Sequence, residues 1–145
     1  MKAIQLQIPA EAENIDLVRI CLYGVANKLG FSYEDIEDMK VAVSEACSNA
    51  VIHGSSDRGA DGIWVRFQTD ESTFAISIIN KGGVFPYEEV RSQASPIQAS
   101  ETSELKVGGL GIYLMEALMD EVAVNTTEQG TEVVLTKYRS KKGDL

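Results

Sequence analysis

The spacing of hydrophobic residues changes along the chain, and each change predicts a new element. Near the N-terminus, Ile4, Leu6 and Ile8 alternate with polar residues, which is typical of a half-buried strand that ends at Pro9. Gly30 is a typical helix stop. Between Pro9 and Gly30, the apolar residues recur every three or four positions, as on one face of an amphipathic helix: Ile15, Val18, Leu22, Val25 and Leu29.

A second helix is predicted from Ser32, because a serine followed three residues later by an acidic residue, Asp35, is a typical helix start. We expect it to end near His53 and Gly54. Its core face has helical spacing: Ile36, Met39, Val43, Ala46 and Ala50.

Two β-hairpins are predicted by short alternating runs. In the first, a polar turn at 70–72 joins two strands with these apolar residues: Ile63, Val65, Phe67, Phe74, Ile76 and Ile78. The second finishes at Lys137, and its turn signal at 128–130 separates these apolar residues: Val122, Val124, Val133 and Leu135.

The segment between the hairpins begins without a regular pattern. Residues 86–106 are rich in Ser, Gln, Ala and Glu, and so long a connection is uncommon in a compact domain unless it is functional or disordered. Its place before a Gly-rich turn favours a mobile lid. Residues 110–119 then predict a short helix. The order of elements predicts an α+β, two-layer sandwich with helices on one face of a mainly antiparallel mixed sheet.

Composition narrows the function classes. The 145 residues are 44% hydrophobic, which fits one domain with one core. A net charge of -9 argues against a direct nucleic-acid surface. No apolar run resembles a signal peptide or could span a bilayer, so we expect a cytoplasmic protein with no membrane contact. Cys21 and Cys47 lack C-x-x-C spacing and are interpreted as reduced core thiols.

Two polar residues of the second helix form the first part of a candidate site. Glu45 and Asn49 lie one turn apart and roughly opposite the core face, so both can face one ligand. The amide oxygen of Asn49 suits Mg²⁺. The alternative is an ordinary solvated face, but Val41, Ala42 and Ile52 flank the pair and favour a face that a lid or a ligand covers.

The Gly-rich segment at 107–115 forms the second part of the site. Glycines just before a helix let backbone N–H groups approach an anion, and the positive end of the helix dipole favours negative charge there. Together, the two parts indicate an ATP site.

These residues match a known family. SEACSNAVIH resembles the N-box of the GHKL ATPase superfamily, and DIEDMKVAVSEACSNAV and GGLGIYLMEALMDEV resemble anti-sigma-factor serine kinases of the RsbW type. The resemblance covers nearly the whole chain. It implies a single histidine-kinase-like ATPase domain of the Bergerat fold over residues 1–145, with an ATP lid at about 86–109.

The same resemblance implies a function. Such a protein is a homodimeric serine/threonine protein kinase that sequesters an RNA polymerase sigma factor. With ATP and Mg²⁺ it phosphorylates, and so inactivates, its anti-anti-sigma antagonist. The sigma factor could serve a general stress response or sporulation.

The resemblance also implies residue roles. Asn49 would bind Mg²⁺, Glu45 would accept the proton of the attacking hydroxyl, and Arg19 matches a surface arginine that the family uses for a partner. Nucleotide contacts are implied at Gly82, Lys106, Gly108, Gly109, Leu110, Gly111 and Thr131.

Several of these residues have ordinary structural alternatives. Arg19 could be a solvated helix arginine, Lys106 a solvated lid lysine and Thr131 a strand threonine. His53 lies near the site but is interpreted as a cap of helix carbonyls. Trp64 should point away from the core, on an apolar face that could form a dimer interface.

Asn80 departs from the family pattern, which usually has an aspartate that accepts a hydrogen bond from the adenine amino group. An amide oxygen can still accept, but the bond loses charge assistance, roughly the difference between about 1.5–3 and about 1 kcal/mol. We expect this change to reduce nucleotide affinity by about tenfold at most. Alternatively, residues 80–83 form a simple turn.

Two other functions share these features. One is an ATP-binding anti-sigma module with little or no kinase activity, which Asn80 would favour. The other is the ATP-binding domain of a sensor histidine kinase. The single histidine of the chain lies in the candidate site rather than on an upstream phosphoacceptor helix, which argues against the second.

Overall fold

A five-stranded antiparallel sheet carries a layer of helices on one face. The computed structural model describes residues 3–54, 62–81, 109–127 and 130–140. The predicted lid at 86–106 and residues 128 and 129 of the predicted turn lie outside the described residues.

The described elements follow the predicted order. A short 3₁₀ turn, Ala12–Asn14, precedes the first helix. The helices are α1 Ile15–Lys28, α2 Tyr33–Gly54 and α3 Gly109–Leu118. The strands are β1 Ala3–Ile8, β2 Ile63–Thr69, β3 Thr73–Asn80, β4 Glu121–Thr127 and β5 Gly130–Tyr138.

The strand order is β1-β2-β3-β5-β4, and every described pair is antiparallel. The prediction of a mixed sheet is therefore wrong for the described strands. Two successive helices, α1 and α2, connect β1 to β2. The chain runs down one helix and back along the other, so β2 begins at the end of the sheet where β1 finishes, and the two strands are antiparallel. β3 and β4 point the same way, but β5 lies between them, so no parallel ladder forms.

The core lies between the helices and the inner face of the sheet. All five residues of the predicted core face of α2 are buried. On α1, Ile15, Val18 and Leu22 are buried, whereas Val25 and Leu29 pack against the edge of the core. Ile4, on the edge strand β1, is 56% exposed, whereas Ile8 on the same strand is buried.

Local signals in the sequence form the structures that they predict. The Ser32 hydroxyl accepts a hydrogen bond from the Asp35 N–H at 3.1 Å, as in a typical helix cap. Gly30 ends α1 with φ of 92°. In the β2–β3 turn, the Asp70 carboxylate accepts hydrogen bonds from the N–H groups of Ser72 and Thr73.

The other face of the sheet is not covered by a described helix. Trp64 lies there, as predicted from its alternation with the buried Ile63 and Val65. Its ring is half-buried, and the Lys81 ammonium lies 5.2 Å from the ring centroid. Trp64 is thus less exposed than a free surface tryptophan.

The two cysteines are free thiols. Cys47 is fully buried in the core, and burial raises its pKa to about 12. Cys21 is only partly buried. The core interpretation is therefore confirmed for Cys47 and applies to Cys21 only in part.

Candidate functional site

One end of the sheet gathers two of the candidate nucleotide residues. Asn80 is the last residue of β3, and it pairs with Thr131 at the start of β5. Both side chains are 5% exposed. They follow the alternation of the buried Ile78 and Val133, so they face the helices.

Gly130 allows this end of the sheet to close. Its φ is 149°, a conformation that favours glycine, and a β-carbon there would overlap the Asn80 carbonyl oxygen. From the sequence, Gly130 is predicted only as part of a turn. Its position before Thr131 is the signal that links it to the site.

The helix α3 covers the face of α2 that carries Glu45. Gly111 lies in the first turn of α3, and a β-carbon on it would overlap Glu45 Oε1. In the described part of the chain, α3 therefore supplies part of the cover of this face, and the additional cover by a lid or a ligand stays a prediction. Val41 and Ile52 remain 42% and 65% exposed, whereas Ala42 belongs to the core.

The Glu45 carboxyl is partly removed from water. This burial raises its pKa above the ordinary value. A carboxylate with a raised pKa is a stronger base, which suits a group that must take a proton from a hydroxyl.

Asn49 lies deeper than its spacing predicts. It is 4% exposed, and its Nδ2 has no hydrogen-bond partner among the described residues. The sequence places it opposite the core face, but α2 packs against the sheet and also against α3, so a larger part of its circumference is buried. A buried N–H donor without a partner costs about 1–3 kcal/mol, and a bound ligand with a hydrogen-bond acceptor, such as a phosphate oxygen, would remove that cost.

The site fits magnesium by its donor chemistry. The amide oxygen of Asn49 is a suitable hard ligand, and Mg²⁺ usually needs only one or two protein oxygens in addition to water and substrate phosphates. In the described ranges, no group of three or more His, Cys, Asp or Glu residues could hold a metal alone. A metal would therefore bind here together with a nucleotide.

Arg19 does not extend freely into solvent. Its guanidinium donates a hydrogen bond to the Ser44 hydroxyl on α2 at 2.8 Å and pairs with Asp16 on α1. Ser44 in turn donates to the Lys40 carbonyl at 2.7 Å. Sequence reasoning missed Ser44, since no local spacing connects it to α1. Arg19 thus links the two helices while remaining 36% exposed.

The remaining candidate residues are only partly described. Gly109 and Leu110 open α3, and the Leu110 side chain is 47% exposed. Gly82, Lys106 and Gly108 lie outside the described residues, as does the side chain of His53.

A separate cavity of about 180 Å³ lies at the ends of β3 and β5. Neither Glu45, Asn49 nor Gly111 lines it. Drug-sized ligands usually occupy about 300–1,000 Å³, so this cavity alone is too small for a whole nucleotide. Its lining residues are Ile79, Asn80, Lys81, Asn125, Gly130, Thr131 and Glu132.

No described helix has the length and apolar character needed to cross a bilayer.

Comparison with known proteins identifies similar domains. Residues 8–137 match the family model of the histidine kinase-like ATPase domain. The chain is 43% identical over 136 residues to the serine-protein kinase RsbW of Bacillus velezensis, covering 93% of this chain and 84% of that protein. It is 42% identical over 141 residues to the Staphylococcus aureus protein of the same name, covering 96% and 88%. The Bacillus subtilis protein of that name is 39% identical over 136 residues, with coverage of 93% and 84%.

Solved structures show the same fold. The RsbU and RsbW domains of a Mycobacterium tuberculosis protein superpose with a TM-score of 0.69 at 22% identity, covering 97% of this chain and 34% of that chain. A chain of the Pseudomonas aeruginosa SiaB–SiaC complex gives 0.63 at 13% identity, covering 94% and 88%. The catalytic domain of histidine kinase ThkA gives 0.55 at 14% identity, covering 98% and 100%.

We expect Glu45→Gln to raise the melting temperature near neutral pH, because burial disfavours the charged carboxyl and raises its pKa in the folded chain. The folded chain then binds this proton more tightly than the unfolded chain. Stability attributable to Glu45 therefore falls as the pH rises above the ordinary value of 4.5 toward the raised pKa.

Thermal unfolding across the acidic and neutral range measures this effect. The advantage of Glu45→Gln should shrink as the pH falls through the raised pKa and disappear once both states are protonated. Glu71→Gln, on the exposed β2–β3 turn, is the matched control and should give no such gain. A melting temperature for Glu45→Gln that is unchanged or lower at neutral pH would contradict a desolvated carboxylate.

Proposed function

Because this chain belongs to the histidine kinase-like ATPase family and is a serine-protein kinase of the RsbW type, we propose that it is an anti-sigma factor that phosphorylates an anti-anti-sigma protein. The phosphoryl donor is ATP with Mg²⁺, and the acceptor is a serine or threonine hydroxyl. The observation that carries the proposal is the contact of Glu45 with the first turn of α3, beside the buried Asn49, whose Nδ2 has no hydrogen-bond partner in the described part of the chain.

The helix α3 has the properties of a phosphate site. Its first turn contains Gly109, Leu110 and Gly111. The two glycines have no side chain that could shield the N–H groups of this turn from a phosphate. The positive end of the helix dipole lies at the same place. We assign the nucleotide phosphates to this turn and to Gly108, with Lys106 as a contact of the γ-phosphate. Gly82, which follows Asn80, allows the backbone to approach the nucleotide closely.

Asn49 and the sheet end would hold the rest of the nucleotide. Asn49 supplies its amide oxygen to Mg²⁺, which when bound neutralises charge on the phosphates. Asn80 accepts a hydrogen bond from the adenine amino group, and Thr131 lies beside it across the β3–β5 ladder.

Glu45 acts as the general base for the acceptor hydroxyl. The substrate hydroxyl oxygen forms a bond to the γ-phosphorus, the bond from that phosphorus to the bridging oxygen breaks, and ADP leaves. The Glu45 carboxylate takes the hydroxyl proton. Such general-base assistance typically contributes about 10²–10⁴-fold, and positioning supplies much of the rest.

Partner binding completes the proposal. The rival partners are a sigma factor and the anti-anti-sigma substrate. Arg19 is a contact residue for the sigma factor, since it is partly exposed on α1 and linked to α2. We assign a homodimer and a place in the cytoplasm, where sigma factors act. The chain has a net charge of -9, which favours partners with basic surfaces.

A module that binds ATP without transferring phosphate is not favoured. Curated relatives at 39–43% identity are named serine-protein kinases. The likeness to histidine kinase domains is at 13–18% sequence identity and concerns the fold alone.

The direct test is incubation with labelled ATP and the anti-anti-sigma protein encoded nearby, followed by mass determination of the product. We expect one added phosphoryl group on the partner. Glu45→Ala should bind ATP normally and lose transfer by about 10²–10⁴-fold, because only the base is removed. Glu34→Ala, at an exposed position of α2, should transfer at the wild-type rate. Native transfer by Glu45→Ala would exclude Glu45 as the base.

Asn49→Ala should weaken binding of Mg-ATP by about tenfold or more, because a metal ligand is lost. Titration calorimetry with and without Mg²⁺ separates this effect from a general loss of nucleotide binding. Cys47→Ala, another buried position of α2, should leave the affinity near that of the wild type. An unchanged affinity of Asn49→Ala in Mg²⁺ would refute the ligand assignment.

Asn80→Asp should tighten ATP binding by up to about tenfold, because a carboxylate restores a charge-assisted bond to the adenine amino group. The gain should be specific for adenine and absent for GTP. Asn27→Asp, on the exposed side of α1, makes the same charge change and should not alter affinity. If Asn80→Asp binds ATP no better than the wild type, Asn80 is not the adenine acceptor.

A further inference from the structure

Gly111 occupies a helical position where glycine is unfavourable. It is the third residue of α3, and glycine destabilises a helix relative to alanine. Its backbone does not require glycine, because the described glycines with positive φ are Gly30, Gly62 and Gly130. Another constraint must therefore explain why a side chain is absent.

The space around Gly111 identifies that constraint. The three atoms nearest to a β-carbon built on Gly111 all belong to Glu45: Oε1, which it would overlap, Cδ at 3.3 Å and Cβ at 3.5 Å. Gly24, the corresponding case on α1, has no atom within 4 Å of such a carbon. The space left by glycine at 111 is thus filled by the Glu45 carboxyl.

We propose that Gly111 is a positioning residue for Glu45, and that its missing side chain forms the seat that holds the carboxylate against the first turn of α3. The catalytic consequence rests on the proposed function, in which Glu45 is the base. The contact at Glu45 Cβ is an ordinary one, so a methyl group at 111 leaves the stem of Glu45 in place and displaces its carboxylate.

This role differs from a role in nucleotide binding. A glycine that admits a phosphate would lower ATP affinity when replaced by alanine, whether or not Glu45 is present. If Gly111 instead makes room for Glu45, its replacement by alanine lowers turnover only while Glu45 is present. The substitution keeps the backbone N–H that binds phosphate. The two roles therefore separate in a double-mutant cycle with Glu45→Ala.

The kinetic arm compares wild type, Gly111→Ala, Glu45→Ala and the double variant. We expect Gly111→Ala to lower kcat by about tenfold to a hundredfold, since a shift of about 1 Å in a reacting group can cost that much. Its KM for ATP should stay within about threefold of the wild-type value. In the Glu45→Ala background, Gly111→Ala should lower the residual rate at least tenfold less than it lowers the rate when Glu45 is present. Wild-type kcat in Gly111→Ala, or an equal loss in both backgrounds, would overturn the proposal.

The stability arm needs no kinase activity. Gly24→Ala should raise the melting temperature by about 2–4 °C, the usual gain from replacing a helical glycine. Gly111→Ala should give a similar gain when Glu45 is alanine and a smaller gain, or a loss, when Glu45 is present. Equal effects in the two backgrounds would overturn the contact.

The two arms distinguish the possible failures. If the wild type transfers no phosphate but the stability cycle shows coupling, the proposed function fails and the seat stands. If Gly111→Ala alone does not fold while the double variant does, the overlap with Glu45 is supported. If neither folds, the overlap lies elsewhere and the proposal is overturned.

Discussion

The site depends on the packing of α3 against α2. That contact covers the Glu45 carboxylate and places the first turn of a helix, with its free N–H groups, beside a carboxylate. Without it, Glu45 would lie on an exposed helix face with an ordinary pKa. A side chain at 111 would displace the Glu45 carboxylate from this contact.

The arrangement places negative charge where a helix dipole also attracts anions. A partly buried carboxylate and a phosphate group would compete for the same positive field, and the Mg²⁺ ion that we propose would reduce their repulsion. Asn49 fits this requirement because its amide is neutral. A second carboxylate at 49 would add to the negative charge near the phosphates, whereas an amide oxygen binds a metal without that cost.

Much of the fold could be predicted from the sequence, because periodicity and caps act locally. The α2 core face, the Ser32 cap and the Asp70 turn all follow from spacing and residue type. Strand pairing was less accessible. The sheet was expected to be mixed, but pairing depends on which strands become neighbours, and β5 separates β3 from β4 through long-range packing.

The candidate site shows the same division. Spacing correctly placed Glu45 and Asn49 on one helix, but it could not show that α3 would bury Asn49's side of the helix or contact Glu45 through Gly111. The link from Arg19 to Ser44 also joins residues far apart in the chain, so no local pattern reveals it. Residue roles that came from family resemblance remain predictions, since they concern bound ligands and partners.

A crystal structure with Mg²⁺ and a non-hydrolysable ATP analogue would locate all the groups of the proposed site together. We expect phosphates at the first turn of α3, the Asn49 amide oxygen about 2.0–2.1 Å from the metal, and the Glu45 carboxylate facing the γ-phosphate. A nucleotide bound elsewhere, or an Asn49 side chain that stays turned away from the metal, would contradict it.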